Sequence, residues 1–343
     1  MNHIINDSKP TVTAVLISLN DEKILEGCLS SIRKQDYPQN LIDIIMVDGG
    51  STDDTVNIAK KYYTEVISRP DLKDYPNIRG GIALTSAKSD LILFVSADNR
   101  LQEEDVLSVM VRTLADREIV ACETLRYGFH RSDPVLSRYF ALIGGADPIA
   151  VQLGKADRGP FDSNSWHGYG EVEDCGFYYK VTFPKDVSKI PTLGANGLLI
   201  KRMLLEKTRL ATSALHIDMC VELILQGHKK FAFIKDKHVI HFLDLKLLSF
   251  LKRRLLYANM YHSANTNRIY SVYHKRDFVK LTIIVLCNIT VIFPFLRAVK
   301  GYFNKKDMAW FLHPVVCFAF TVGYSLFFAK KLLLRISHKR YQQ

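Results

Sequence analysis

Two acidic residues stand directly behind apolar runs, where a carboxylate has room to do chemistry. The run Leu91-Ile-Leu-Phe-Val95 stops at Ser96-Ala-Asp98-Asn99, and Ile42-Asp-Ile-Ile-Met-Val47 stops at Asp48-Gly-Gly-Ser51. Asp98 is placed to hold one site on a Mg2+ or Mn2+ ion bridging a diphosphate. The plainer alternative is that it caps a helix suggested by residues 101–107. Asp48 has its own plain alternative, the start of a turn ahead of its glycines. A third polar cluster, Leu19-Asn-Asp-Glu22, follows the run 11–18. There Asn20 has the makings of a helix N-cap. Each plain reading holds singly, but three such clusters at the ends of neighbouring strands are hard to explain as accident.

The elements that must carry these residues follow from the apolar pattern. Continuous apolar runs fit strands buried on both faces of a parallel sheet, in which ligands bind beyond the carboxyl ends of the strands. Ile24, Leu25, Cys28, Leu29 and Ile32 recur at helical spacing between the first two runs, and Val56, Ala59 and Tyr63 suggest a helix after the second. Residues 64–68 fit a short third strand, 69–77 a loop, and 82–86 a helix leading into the strand that ends at Asp98. This β-α-β-α-β order predicts a mostly parallel sheet with covering helices. No G-x-G-x-x-G follows the first run and no G-x-x-x-x-G-K-[ST] occurs, which argues against a dehydrogenase or a P-loop enzyme. Residues 120–129 and 177–183 read as further strands, and 132–158 as an irregular region.

Charge and cysteine usage bound the setting. From Lys229 onward there are 21 Lys and Arg against 4 Asp and Glu, while the rest of the chain holds 25 basic and 31 acidic residues. The basic part is interleaved with long aliphatic stretches, which favours lipid headgroups over nucleic acid as its partner. The six cysteines form no C-x-x-C pair and residues 1–10 are polar, so reduced thiols, a cytosolic catalytic domain and no zinc site are expected.

Leu16-Ile-Ser-Leu-Asn-Asp-Glu22, Val47-Asp-Gly-Gly-Ser-Thr-Asp-Asp-Thr55 and Phe94-Val-Ser-Ala-Asp-Asn99 together resemble, at matching spacing, the signature segments of family 2 glycosyltransferases with the GT-A fold, over roughly 11–244. The resemblance implies a Rossmann-like α/β domain and a nucleotide-sugar pocket. Asn20 and Glu22 would sit near base and ribose, and Asp48 would bind the base. Arg79, in the loop before Gly80-Gly81, would approach the diphosphate. Asp98 would match the metal-binding acid of the D-x-D motif, with Mg2+ or Mn2+ as cofactor. Two departures stand out. Gly49 replaces a frequent second Asp, and Ser96 replaces the first acid of D-x-D, leaving Asp98 without its usual partner.

Leu193-Gly-Ala-Asn-Gly-Leu-Leu-Ile-Lys-Arg202 resembles the family's acceptor-side segment, which makes Asn196 and Gly197 acceptor-binding candidates. His216-Ile-Asp218-Met-Cys-Val-Glu222 resembles the position of the catalytic acid. Inverting transfer needs a base to take the proton of the attacking hydroxyl. The resemblance assigns that role to Asp218, with Glu222 one turn on as the fallback. From local sequence alone, Asp218 is a helix N-terminal acid favoured by the dipole. The Q-x-x-R-W segment of processive relatives is missing from this sequence.

The expected organisation is a catalytic domain over 1–243, a basic amphipathic region over 244–278, and a hydrophobic hairpin with a basic tail over 279–343. In 245–261, Leu247, Leu248, Leu251, Leu255 and Ala258 can share an apolar stripe, which fits either an interfacial helix with Lys252-Arg253-Arg254 near lipid phosphates or a packed surface helix with a solvated basic face. The runs 281–296 and 308–329 read as two spans that return the chain to the cytoplasmic side. A basic linker at 300–306 keeps a re-entrant hairpin open. The resulting expectation is a non-processive, membrane-anchored enzyme. It would move one sugar from a nucleotide-diphosphate donor, UDP-linked by preference, to a lipid-linked acceptor at the cytoplasmic face of the membrane. The alternatives are a polyprenyl-phosphate sugar synthase, a nucleotidyltransferase, and a non-catalytic membrane scaffold with a degenerate nucleotide-sugar fold.

Overall fold

The computed structural model describes residues 9–163, 166, 168–194, 196–209, 216–263 and 268–340, excepting the side chains of 257–263 and 332–340. Ala258 of the expected stripe, Ala195 of the glycine-rich segment, residues 1–8 and the side chains of the basic tail beyond 331 therefore lie outside the description. The chain divides into two compact units. One runs to Phe129 and resumes over Gly168–Phe242; the other is built from 130–167 and 243–343.

The first unit is organised on a ten-stranded mixed sheet. Its strands are β1 (Val12–Ser18), β2 (Ile42–Asp48), β3 (Glu65–Ser68), β4 (Leu91–Phe94), β5 (Asn99–Leu101), β6 (Ala121–Gly128), β7 (Glu171–Asp174), β8 (Tyr178–Thr182), β9 (Leu198–Lys201) and β10 (Lys230–His241). The order is β3-β2-β1-β4-β9-β6-β10-β8-β7, with β5 paired to β10. β3, β2, β1 and β4 are parallel, as the alternation of apolar runs and helices requires. β9 enters antiparallel between β4 and β6, and β10 runs parallel to β6 and antiparallel to β8 and β5.

Register sets the site. Ser18 pairs with Asp48 and Asp48 with Ser68, so the polar ends of β1, β2 and β3 arrive side by side. Every residue of β4 is buried, which accounts for its unbroken apolar sequence. Leu25, Cys28, Leu29 and Ile32 form the inner face of the helix Leu25–Arg33, as their spacing predicts.

Two local expectations are corrected. Residues 101–107 are not one helix. Leu101 closes β5 opposite Val239, and the next helix, Val106–Thr113, starts from Asp105. Pairing with β10 captures 99–101 as strand, so Asp98 is no helix cap. The loop expected over 69–77 is cut short by the helix Pro76–Ser86. Pro76 at its first position costs no hydrogen bond and brings a pre-set φ. Arg79 accordingly sits on a helix, not in a loop.

The second unit is helical. The irregular region expected over 132–158 forms Val135–Ile143 and Pro148–Gln152. Gly144 ends the first in a left-handed turn (φ 82°), and Asp147 caps the second by accepting from the amides of Ile149 and Ala150. The amphipathic stretch is the helix Leu247–Ser263. Its inward residues include Phe250 and Leu251, whereas Leu248 is 70% exposed, outside the stripe expected for it. Arg254 turns inward too: its guanidinium lies 3.4 Å from Asp147 Oδ2, which also accepts from the Tyr324 hydroxyl at 2.7 Å. A buried carboxylate needs such partners, and that overrides the headgroup placement expected from composition. The run 281–296 breaks at Val291 (φ 64°) into Phe278–Thr290 and Ile292–Asn304, bent by 82°. By length and composition Met308–Lys331 can cross a membrane, and the bent pair is either a broken span or a re-entrant loop.

Candidate active site

At the ends of β1 and β2 the polar residues first serve to knit two loops together. Asp48, 2% exposed, accepts from the amides of Gly50 (2.9 Å) and Ser51 (3.0 Å) and from the Ser51 hydroxyl (2.5 Å). That is the turn of the plain reading, made possible by Gly50 at φ 89°. Asn20, itself left-handed (φ 57°), accepts through Oδ1 from the Thr52 amide at 2.9 Å, and its own amide donates to Ser51 Oγ. Glu22 accepts from the Asp54 amide at 3.1 Å. Asn20 is no helix N-cap, since the helix beyond it starts after Ile24.

Arg79 joins this cluster from below. Its guanidinium is buried and donates to the Ser18 carbonyl at 2.5 Å, close enough to Asp48 to feel its charge. A Cβ on Gly49 would stand 2.6 Å from Arg79 Nη1. A side chain at Gly49 would have to displace the Arg79 guanidinium from this place.

Asp98 lies at a second cluster built from five strand ends. Its Oδ2 is 3.3 Å from His241 Nε2 at the end of β10, and its Oδ1 accepts from Asn99 Nδ2 at 3.1 Å. Asn99 also donates to Asn196 Oδ1 (3.0 Å), and Asn196 Nδ2 donates to the Tyr127 hydroxyl (2.6 Å). The Tyr127 ring packs against His241 with centroids 5.8 Å apart. Asp21 lies near enough for Asp98 to act on it: burial raises its carboxyl above the ordinary value, and the charges of Asp98 and Asp53 add to that rise.

His241 is the residue that sequence reasoning missed. Two ligand atoms at about 2.1 Å on one octahedral cation lie about 3 Å apart. The observed separation of 3.3 Å between carboxylate oxygen and imidazole nitrogen fits that demand. Among the described residues no group of three or more His, Cys, Asp or Glu side chains is set to hold a metal. The site fits an ion held by two protein ligands with its other positions left to phosphate or water, as is usual for Mg2+. Ser96, in place of the first D-x-D acid, donates its amide to Asn99 Oδ1.

The acceptor-side candidates are placed differently from a sugar-lining role. The Asn196 amide is 8% exposed and engaged with Asn99 and Tyr127. Gly197 (φ 77°) donates to the Phe94 carbonyl, and a Cβ there would meet Val239 at 2.7 Å. Close packing on β10, more than room for a sugar, explains that glycine.

Asp218 occupies the first turn of the helix His216–Leu225 and is partly exposed. The start of that helix is seated on β4: the His216 ring lies 6.3 Å from Phe94, and a Cβ on Gly194 would touch His216 at 3.0 Å. His216, Phe94 and Ser96 line a cleft of about 100 Å3 with Ile17, Asn77 and Gly80. Glu222, one turn on, accepts from the Arg209 amide at 3.2 Å. The structure thus joins Asn20, Glu22, Asp48 and Arg79 in one cluster and Asp98, Asn196 and His241 in a second. Asp218 follows two residues after a wall of the cleft that reaches Ser96.

A mostly parallel sheet with polar strand ends of this kind defines a GT-A-like domain. Residues 13–159 match the family described as Glycosyl transferase family 2. It is 29% identical over 96 residues to the poly(ribitol-phosphate) beta-N-acetylglucosaminyltransferase TarS of Staphylococcus aureus, covering 27% of this chain and 17% of TarS. It is 33% identical over 127 residues to an uncharacterised glycosyltransferase of Mycobacterium tuberculosis, covering 36% of this chain and 47% of that protein. The chain therefore spans less than half the length of these curated relatives. In fold it is similar to a mannosyltransferase of Pyrobaculum calidifontis solved with GDP-Man and Mn2+, at a TM-score of 0.52 and 13% identity over 93% of this chain and 87% of that one.

Proposed function

We propose that this protein is an inverting glycosyltransferase. It moves a single sugar from a nucleotide-diphosphate donor, UDP-linked by preference, to a lipid-linked acceptor at the cytoplasmic face of a membrane. The observation that carries the reading is the pairing of Asp98 with His241 beside the cleft that His216 and Ser96 line.

The family resemblance suggests the roles, and the clustering of these residues supports them. Asp48 and the Asn20–Glu22 loop receive the nucleoside, with Arg79 holding the floor beneath them. Asp98 and His241 hold a Mg2+ or Mn2+ ion, which when bound neutralises charge on the diphosphate leaving group. Asp218 takes the proton of the acceptor hydroxyl as its oxygen attacks the anomeric carbon. One carboxylate suffices, because attack is direct and the nucleoside diphosphate leaves from the opposite face. The apolar helices and basic residues of the second unit support a lipid-borne acceptor, through the location they imply for the enzyme.

The test is a screen of common nucleotide sugars for hydrolysis and transfer, run on the full chain in detergent with added Mn2+. One donor is expected to release nucleotide diphosphate. Asp218→Asn is expected to lower transfer by roughly 10^2–10^4-fold, the usual worth of a positioned base. No turnover of any donor would favour the scaffold reading. Pyrophosphate as product would mean a nucleotidyltransferase. Undiminished transfer by the Asp218 variant would favour a synthase acting on polyprenyl phosphate, whose acceptor needs little help from a base.

A further inference from the structure

We infer that Tyr127, Asn196 and Asn99 form a positioning relay that fixes the two metal-ligand candidates, Asp98 and His241, in one geometry. The inference rests on the metal-dependent reading above and adds to it three residues that would touch neither the ion nor the donor.

The geometry is a closed circuit of five side chains. From Asp98 Oδ1 it runs to Asn99 Nδ2 (3.1 Å), from that nitrogen to Asn196 Oδ1 (3.0 Å), and from Asn196 Nδ2 to the Tyr127 hydroxyl (2.6 Å). It returns through the Tyr127 ring, tilted by 39° against the His241 ring at a centroid distance of 5.8 Å, and His241 Nε2 faces Asp98 Oδ2 at 3.3 Å. The backbone enforces the same arrangement. His241 pairs with Asn99 across β10 and β5, Tyr127 pairs with Val239 across β6 and β10, and Gly197 donates to the carbonyl of Phe94.

Burial gives the circuit its force. Asn99 is 1% exposed, Tyr127 2% and Asn196 8%. A desolvated amide that loses its partner cannot turn to water, so each bond is expensive to break and the set is held in one arrangement. Asn99 is the pivot, because one NH2 group serves both Asp98 and Asn196 while its Oδ1 accepts from the Ser96 amide at 2.9 Å. With Oδ1 of Asp98 tied down, Oδ2 stays turned toward His241. Packing against Tyr127 fixes the plane of the imidazole. Outer partners of metal ligands act in this way, setting orientation without touching the ion.

The test is Mn2+ titration of the full chain in detergent without donor. Affinity is read by calorimetry, and imidazole ligation by the nitrogen modulation of the bound ion in pulsed paramagnetic resonance. The parent is expected to show the nitrogen signature and His241→Ala to lack it. Tyr127→Phe and Asn196→Ala are each expected to weaken Mn2+ binding by roughly 10- to 100-fold. Because they interrupt one chain, the double variant is expected to be no weaker than the worse single. Thr113→Val serves as the control: it removes a buried hydroxyl that donates to the Val109 carbonyl within the helix Val106–Thr113. It is expected to lower the melting temperature and leave Mn2+ affinity alone.

Folded relay variants that bind Mn2+ within twofold of the parent would overturn the inference and leave the functional reading standing. So would a Thr113→Val loss of affinity as large as theirs. If Tyr127→Phe fails to fold, Asn196→Ala decides alone. A parent whose Mn2+ binding is absent, or is unchanged in Asp98→Ala, would remove the metal-dependent reading and the relay with it.

Discussion

Asp90 closes the N-terminal ends of the two central parallel strands, opposite the site. Its Oδ2 accepts from both the amide and the hydroxyl of Thr11 at 2.9 Å, and its own amide donates back to that hydroxyl at 3.0 Å. The Thr11 amide and hydroxyl bonds, with the charge of Arg202 helping, hold its carboxyl below the ordinary carboxylate value. A depressed acid contributes stability that is full above the unfolded pKa, about 3.9, and is lost as pH falls through the lower folded value. Asp90→Asn is therefore expected to lower stability by about 1 kcal/mol at pH 7, a small figure because the group is exposed. The difference from the parent should shrink below about pH 4, as melting curves across pH 3–7 would report. A constant deficit across that range would show that charge has no part in the clasp. The contrast with the site is instructive. Asp48 and Asp98 are visible in sequence because each follows an apolar run. His241 is not, because nothing near it in the chain marks it, and only the pairing of β10 with β5 brings it to Asp98.

At the scale of elements, what was legible depended on whether the local pattern or a distant partner decides the structure. β1, β2 and β4 are buried by helices their own segments supply, so their apolar runs announce them. β10 is twelve residues long and lies between β6 and β8, yet Lys235, Asp236, Lys237 and His238 interrupt its apolar residues where the register with β6 also shifts. A strand with charges in its middle does not declare itself as the centre of a sheet. In the second unit the hidden element is a polar junction. Asp147 caps Pro148–Gln152 and accepts from Tyr324 at 2.7 Å, with Arg254 and Tyr273 at 3.4 Å, joining four segments on one carboxylate. Asp147→Ala is expected to cost about 2 kcal/mol or more in detergent, from the lost cap and the stranded hydroxyl together. Thermal unfolding of the purified chain measures it, and a change under 0.5 kcal/mol, the size of an ordinary surface substitution, would show that the junction holds nothing together.

For the whole molecule, the proposed membrane anchoring turns on the bent helix pair of the second unit. Between Lys280 and Lys300 every exposed residue of the bent pair is uncharged, among them Ile283, Leu286, Ile289, Val291, Ile292, Phe293, Phe295 and Leu296. The one charge in the interval, Arg297, is paired with Asp162 at 2.9 Å. Lys275, Arg276 and Lys280 bound this surface at one end and Lys300, Lys305 and Lys306 at the other. Each arm has 13 residues, about 20 Å of helix, and two such arms bent by 82° reach about 30 Å from end to end. That equals the hydrocarbon thickness of a bilayer, so the pair is long enough to cross as one broken span. Crossing leaves three basic residues at 300–306 on the far side. With the catalytic domain placed in the cytoplasm as proposed, it would return the larger basic group at 330–340 to that side through Met308–Lys331, as the bias of positive charge favours. A re-entrant loop would reverse that balance. Single cysteines placed at Lys305 and Lys339, in a chain whose other cysteines are replaced by serine or alanine, distinguish the two. In sealed cells Lys305→Cys is expected to react with an impermeant maleimide, and Lys339→Cys only after permeabilisation. Protection of position 305 together with labelling of position 339 would establish the re-entrant arrangement and place the tail across the bilayer from the chain that precedes Lys275.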